Sequence, residues 1–167
     1  GYATFVSCRS CGHVMKCPEC DLTYTYHAKE HALACHYCGR RAPLPKVCPV
    51  CGSPVVRDED GVALRCTGAE CPAQLVRNLV HFASRDCMDI EGLGPAVVRA
   101  LVENHLIRTP GDLYHLNAQD VAKLDRMGEK SAENLIAAIE KSKQQDLSRL
   151  ISAFGIRQVG TRGAQVL

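Results

Sequence analysis

The sequence predicts small metal-clamped ribbons with short β-hairpins at the N-terminus, followed by an all-α domain. Three observations carry this. Ten of the eleven cysteines fall in closely spaced pairs before residue 72. Short β-like runs, YATFV (Tyr2 to Val6) and LTYTY (Leu22 to Tyr26), lie among them. After residue 72 the apolar residues take helical spacing. The composition changes sharply near residue 72: residues 1–47 carry six cysteines in ribbon-like sequence and residues 48–72 four more, while residues 73–167 read as helical and carry one.

The cysteine pairs are Cys8/Cys11, Cys17/Cys20, Cys35/Cys38 and Cys48/Cys51, then the wider Cys66/Cys71. A C-x2-C knuckle aims two thiolates at one ion from a tight turn, and a pair from a distant loop completes the tetrahedron. Short pairs in series point to zinc rather than to disulfides. Gly12, Gly39 and Gly52 each follow a knuckle and let backbone N–H groups turn toward sulfur. His13, His31 and His36 read as surface residues beside so many thiolates, and Cys87 as a buried thiol without a metal role.

Two ions need eight ligands, so two of the ten paired cysteines are left over. Cys48 and Cys51 have two candidate partners. Closing a site with Cys66/Cys71 spans fourteen residues and closing one with Cys8/Cys11 spans thirty-six. Loop entropy favours the shorter closure by only about 0.8 kcal/mol. The helix expected from Ala73 adds a brace to that side. On this reasoning one zinc falls on Cys48, Cys51, Cys66 and Cys71, and Cys8 and Cys11 are the pair expected to be unpaired or loosely metallated.

In the helical part, AQLVRNLVHFAS sets Leu75, Leu79 and Phe82 on one face, and GEKSAENLIAAIEKSK does the same with Ala132, Leu135, Ile136 and Ile139. Asn117 with Asp120 reads as an N-cap with a short-armed capping box. A unit recurs: IEGLGPAVVRAL from Ile90, LDRMGEKSAENL from Leu124 and IRQVGTRGAQVL from Ile156. Each copy is apolar, two mostly polar residues, apolar, Gly, then a helix start. This is an all-α helix-hairpin-helix domain, whose glycines permit positive φ and close approach and whose second helices present free N–H groups to anions such as phosphate. The candidate DNA-binding residues are Gly92, Gly94, Gly128, Lys130, Arg157, Gly160 and Arg162, with Leu93, Met127 and Val159 anchoring the turns. A helical repeat that only packs would use the same glycines.

Net charge is +2, with six Lys/Arg against three Asp/Glu in residues 1–51, so neither half is a basic tail and any nucleic-acid contact is local and geometric. No apolar run is long enough to span a membrane and no secretory signal opens the chain, which places it by default in the cytoplasm. No K-x-D-G adenylation motif and no G-x-x-x-x-G-K-[ST] loop occurs, so no catalytic residue is assigned. The chain starts without Met and stops within a helix of the third unit, as if cut from something longer.

SCRSCGHVMKCPECDLTYTYH and LACHYCGRRAPLPKVCPVCGS resemble the zinc-binding insert of the primosomal replication-restart helicase over residues 1–53. That resemblance implies nesting: Cys8, Cys11, Cys48 and Cys51 on one ion, Cys17, Cys20, Cys35 and Cys38 on the other. CPVCGSPVVRDEDGVALRCTGAECPAQL and the helical units are instead similar to the bacterial NAD-dependent DNA ligase over residues 48–167. This second resemblance implies one ion on Cys48, Cys51, Cys66 and Cys71, and a phosphate-mediated, sequence-independent grip on duplex or nicked DNA. NAD would serve only the parent ligase, whose catalytic domains are missing here. The seam of an apparent fusion lies inside the shared CPVCGS. Alternatives are a fragment of the restart helicase and a zinc-ribbon interaction adaptor.

Overall fold

The computed structural model describes residues 5–27, 30–57, 64–156, 159 and 161–166. The chain divides into two compact units, Gly1–Gln74 and Leu75–Leu167.

The first unit is built from very short strands. β1 (Thr25–His27), β2 (Ala32–Ala34) and β3 (Arg41–Pro43) form an antiparallel sheet in sequence order, and β4 (Val55–Arg57) pairs antiparallel with β5 (Leu64–Cys66). Their side chains alternate, so Leu33 alone of β2 is fully buried, while Leu64 and Cys66 of β5 point inward on either side of Arg65. Val6, Tyr24, Leu33 and Leu64 meet in one small core with Cys17 and Cys35. Leu64 lies beyond the CPVCGS seam, so the ribbons on either side of that seam share their apolar packing. A single bridge reinforces this, pairing Cys8 with Leu64, while another joins Phe5 to Thr25 within the first ribbons.

Helix α1 (Pro72–Phe82) opens on proline, whose fixed φ suits the first helical position. The boundary between the units falls within it, after Gln74. The second unit then runs through α2 (Pro95–Glu103), a 3-10 turn (Pro110–His115), α3 (Ala118–Ala122), α4 (Glu129–Ser142), α5 (Leu147–Ala153) and α6 (Thr161–Ala164). Helix α4 buries Ala132, Leu135, Ile139 and Ser142 at three- and four-residue spacing. Ser142 is the one buried polar residue among those described; its hydroxyl donates to the Ile139 carbonyl (2.7 Å) and lies 3.1 Å from the Tyr114 hydroxyl.

The repeat is visible in the packing. Ile90, Leu93, Val98 and Leu101 of the first copy are buried, and Leu124, Met127, Ala132 and Leu135, each thirty-four residues later, are buried or packed on the same core. Asn117 caps α3 by accepting from the Asp120 N–H at 2.8 Å, while the Asp120 carboxylate takes the Asn117 side-chain amide (2.6 Å) instead of its backbone. The chain's reciprocal backbone cap lies elsewhere, at the 3-10 turn, where Asp112 accepts from the N–H groups of Arg108 (2.8 Å) and Thr109 (2.9 Å).

Candidate metal centres and the hairpin face

Two groups of four sulfurs form among the described residues, Cys17, Cys20, Cys35 and Cys38 in one and Cys48, Cys51, Cys66 and Cys71 in the other, the ligand atoms of each within 4.8 Å of one another. Cys17 and Cys38 at 3.6 Å, and Cys51 and Cys66 at 3.4 Å, sit near the roughly 3.8 Å edge of a tetrahedron with Zn–S bonds of about 2.3 Å. The donor set and its geometry fit zinc.

Each knuckle is closed by the same two backbone bonds. In Cys48–Ser53, the Cys48 N–H donates to the Ser53 carbonyl and the Gly52 N–H to the Cys48 carbonyl, both at 2.8 Å. Cys17 and Cys35 repeat the pattern with Leu22 and Asp21, and with Arg40 and Gly39. The return requires positive φ at the residue after the second cysteine, adopted by Gly39 (75°) and Gly52 (71°) and also by Asp21 (54°), where the sequence offers no glycine.

The sulfurs are held unequally. The Ser53 hydroxyl and backbone N–H bond the Cys51 sulfur and draw its thiol down to about 6. Burial opposes ionisation of Cys17, but N–H groups of Glu19 and Cys20 outweigh it and bring that thiol to about 7. The Cys38 thiol pushes Cys20 up to about 12, and burial does the same to Cys66. Four sulfurs this close cannot all ionise beside one another unless a cation sits among them, and that is the service a zinc ion performs.

Cys8 and Cys11 stand outside both groups of four but pack directly on the second, with Cys48, Cys66 and Cys71. His31 and His36 are exposed and His13 is half-buried; the His36 Nε2 lies 3.3 Å from the Nε2 of His27. Cys87 is buried in the helical core.

On the helical unit, Gly94 and Gly128 are the N-caps of α2 and α4. Both have extended backbone (φ −78° and −87°), which any residue adopts, so their lack of a side chain serves no local turn. A Cβ at either would meet nothing within 4 Å. Positive φ belongs to the residue two before each cap: Gly92 (84°) in the first copy and, at the equivalent position of the second, Arg126 (62°). The first ladder bonds run from Val98 to Gly94 and from Ala132 to Gly128, leaving the N–H groups of the preceding turn ahead of the ladder. An open groove between the two copies is lined by Gly92, Met127, Ser131, Asn134 and Lys141. Lys130 and Arg162 are exposed, and Val159 packs beside Gly163. Arg157 and Gly160 lie outside the described residues.

Sulfur tetrahedra on ribbons, followed by paired glycine-capped hairpins, define a zinc-ribbon chain with a helix-hairpin-helix tandem. Comparison with known families agrees and narrows the class. Residues 47–73 match the NAD-dependent DNA ligase C4 zinc finger domain, residues 84–141 the SAM-like helix-hairpin-helix tandem, and residues 17–43 the PriA DNA helicase Cys-rich region domain. The chain is 56% identical to the DNA ligase of Acetivibrio thermocellus over 126 residues, 74% of this chain and 19% of that protein. It is 58% identical to the DNA ligase of Heliobacterium modesticaldum over 124 residues, 74% of this chain and 18% of that one. For Lacticaseibacillus paracasei DNA ligase the identity is 52% over 126 residues, 75% of this chain and 19% of the relative. The chain thus carries a region similar to the zinc finger and helix-hairpin-helix of NAD-dependent DNA ligase, next to a PriA-like cysteine-rich segment, and spans about a fifth of the length of these relatives. No helix among the described residues is long and apolar enough to cross a membrane.

Proposed function

We propose that the chain is a DNA-gripping segment that holds duplex or nicked DNA through its phosphates without reading base sequence. The observation that carries this is the pair of hairpins whose helix N-termini are capped by glycines with open space where a Cβ would stand. Helix N-termini favour anions, and a bare cap lets a phosphate reach the free N–H groups. Lys130 and Lys141 add charge nearby, and phosphate contacts position a duplex without specifying it. The two zinc ions hold the ribbons in shape. Nick sealing with NAD belongs to a whole ligase with its catalytic domains, in the cytoplasm; this chain alone turns over neither NAD nor ATP.

The test is fluorescence anisotropy of the chain on two duplexes of unrelated sequence across a salt series. Expected are equal affinities and a log–log salt slope of about −0.9 for each phosphate engaged. Gly128→Val fills the approach without a clash in the folded chain and weakens binding while the helical circular dichroism stays unchanged. Strong preference for one sequence, or affinity indifferent to salt, refutes the proposal. The PriA match favours a second role for the ribbon at 17–43, engagement of branched DNA or a partner protein, which a forked substrate in the same assay would reveal as tighter binding than to linear duplex.

A further inference from the structure

Cys8 and Cys11 form a finished metal knuckle outside either group of four. The Cys8 N–H donates to the His13 carbonyl and the Gly12 N–H to the Cys8 carbonyl, both at 2.8 Å, and Gly12 has φ 75°. These are the closure and the backbone of the Cys17, Cys35 and Cys48 knuckles, atom for atom. The knuckle is also aimed. Its Cys8 sulfur accepts the N–H of Cys11 and the N–H of Cys66, each at 3.4 Å, so it lies against the backbone of a ligand of the second site. The Cys8–Leu64 bridge and the Arg9 N–H to the Leu64 carbonyl (2.9 Å) fix it there. Six sulfurs from three pairs therefore share one cluster, with Cys8, Cys11 and Cys51 packed against Cys48, Cys66 and Cys71.

We propose that Cys8 and Cys11 are a reserve ligand pair for the second zinc, so that one ion has two alternative tetrahedra sharing Cys48 and Cys51. In the exchange, the Zn–S bonds to Cys66 and Cys71 break one at a time as bonds to Cys8 and Cys11 form. The incoming thiols release two protons and the outgoing thiolates take up two, so the ion keeps its charge and four sulfurs throughout. The consequence is a finger that can open at Cys66–Cys71, immediately before α1, without surrendering its metal. This rests on the assignment of zinc to the cysteine clusters and not on DNA binding.

The experiment is metal counting on the full chain purified in zinc. Wild type is expected to hold two ions, Cys8→Ser/Cys11→Ser two, Cys66→Ser/Cys71→Ser two, and Cys48→Ser/Cys51→Ser one. Loss of an ion from the Cys66/Cys71 variant overturns the reserve role, and loss from the Cys8/Cys11 variant makes that pair the primary ligand rather than the reserve. Three ions in wild type overturn the sharing of one ion. Fewer than two ions in wild type, by contrast, sink the zinc assignment itself. Should the Cys66/Cys71 variant fail to fold, release kinetics decide: Cys8→Ser/Cys11→Ser yields its second ion to a chelator several-fold faster than wild type, whereas equal rates overturn the proposal.

Discussion

Replacing Arg126 with glycine should make the helical unit more stable, although it removes a side chain and adds no contact. Arg126 holds φ 62° at the position where the first copy of the repeat has Gly92 at 84°. A left-handed residue with a Cβ carries about 1–2 kcal/mol of strain. Glycine removes that strain but loses about 0.5–1 kcal/mol to its greater freedom in the unfolded chain. The side chain itself contributes little, being 92% exposed and no closer than 3.7 Å to the neighbouring Asp125 carboxylate. The net gain is about 0.5–1 kcal/mol. Over a unit of roughly 90 residues this raises Tm by about 2–5 °C. Thermal unfolding followed at the helical circular-dichroism band reads the shift. The mirror experiment, Gly92→Ala, lowers Tm by a similar amount, because the new Cβ finds only the Leu135 Cδ1 at 3.9 Å yet inherits the strained φ. A fall in Tm for Arg126→Gly, or shifts of the same sign for both variants, would refute the reasoning.

Three further outcomes are expected. A strong chelator should unfold the ribbons and leave the helices, since each structural zinc supplies about 10 kcal/mol or more that cores this small lack; tyrosine fluorescence and circular dichroism separate the two units, and an unchanged ribbon signal in metal-free protein counts against it. Leu64→Ala should cost about 2–4 kcal/mol and loosen the environment of Tyr24 across the seam, detectable as altered Tyr24 ring resonances by NMR; a ribbon unaffected by it would mean the shared core is not a shared support. Asp112→Asn should cost about 1 kcal/mol of cap. The N–H groups of Arg108 and Thr109 hold the Asp112 carboxyl below its ordinary value, so its contribution is complete above the unfolded carboxylate range and disappears as pH falls through the folded value; a wild-type-minus-variant stability difference constant down to strongly acidic pH would contradict this.

The ribbon-then-helix architecture was legible because each half has its own signal. Paired thiols announce knuckles, and Leu79, Phe82, Leu135 and Ile139 fall where a helix must be covered. The copies of the repeat were legible from Gly94 and Gly128, but the reason for those glycines was not. They read as turn formers, whereas the strained position is two residues earlier, and in the second copy an arginine fills it. Backbone conformation at an exposed residue leaves no mark on the hydrophobic pattern. The place of Cys8 and Cys11 was illegible for a different reason. Loop lengths compare closures one at a time, while the contact between this knuckle and Cys66 is made by strand pairing at Leu64, a long-range feature that no spacing encodes. Leu64 itself, the last of the short apolar run Val62–Leu64 after an acidic stretch, gave no hint that it completes the core of the neighbouring ribbon.

The four knuckles close on themselves with bonds that begin and end within six residues, from the first cysteine to the residue after the turn. Such a turn behaves as a coupling. What enters it and what leaves it can differ without disturbing the angle at which its sulfurs emerge. Segments similar to two different families can therefore sit on either side of such a turn, as the PriA-like match at 17–43 and the ligase-like match at 47–73 do here, without disturbing the thiolates it presents. The Cys48–Cys51 turn thus faces two neighbouring thiol pairs at once, one inside its group of four and one packed against it.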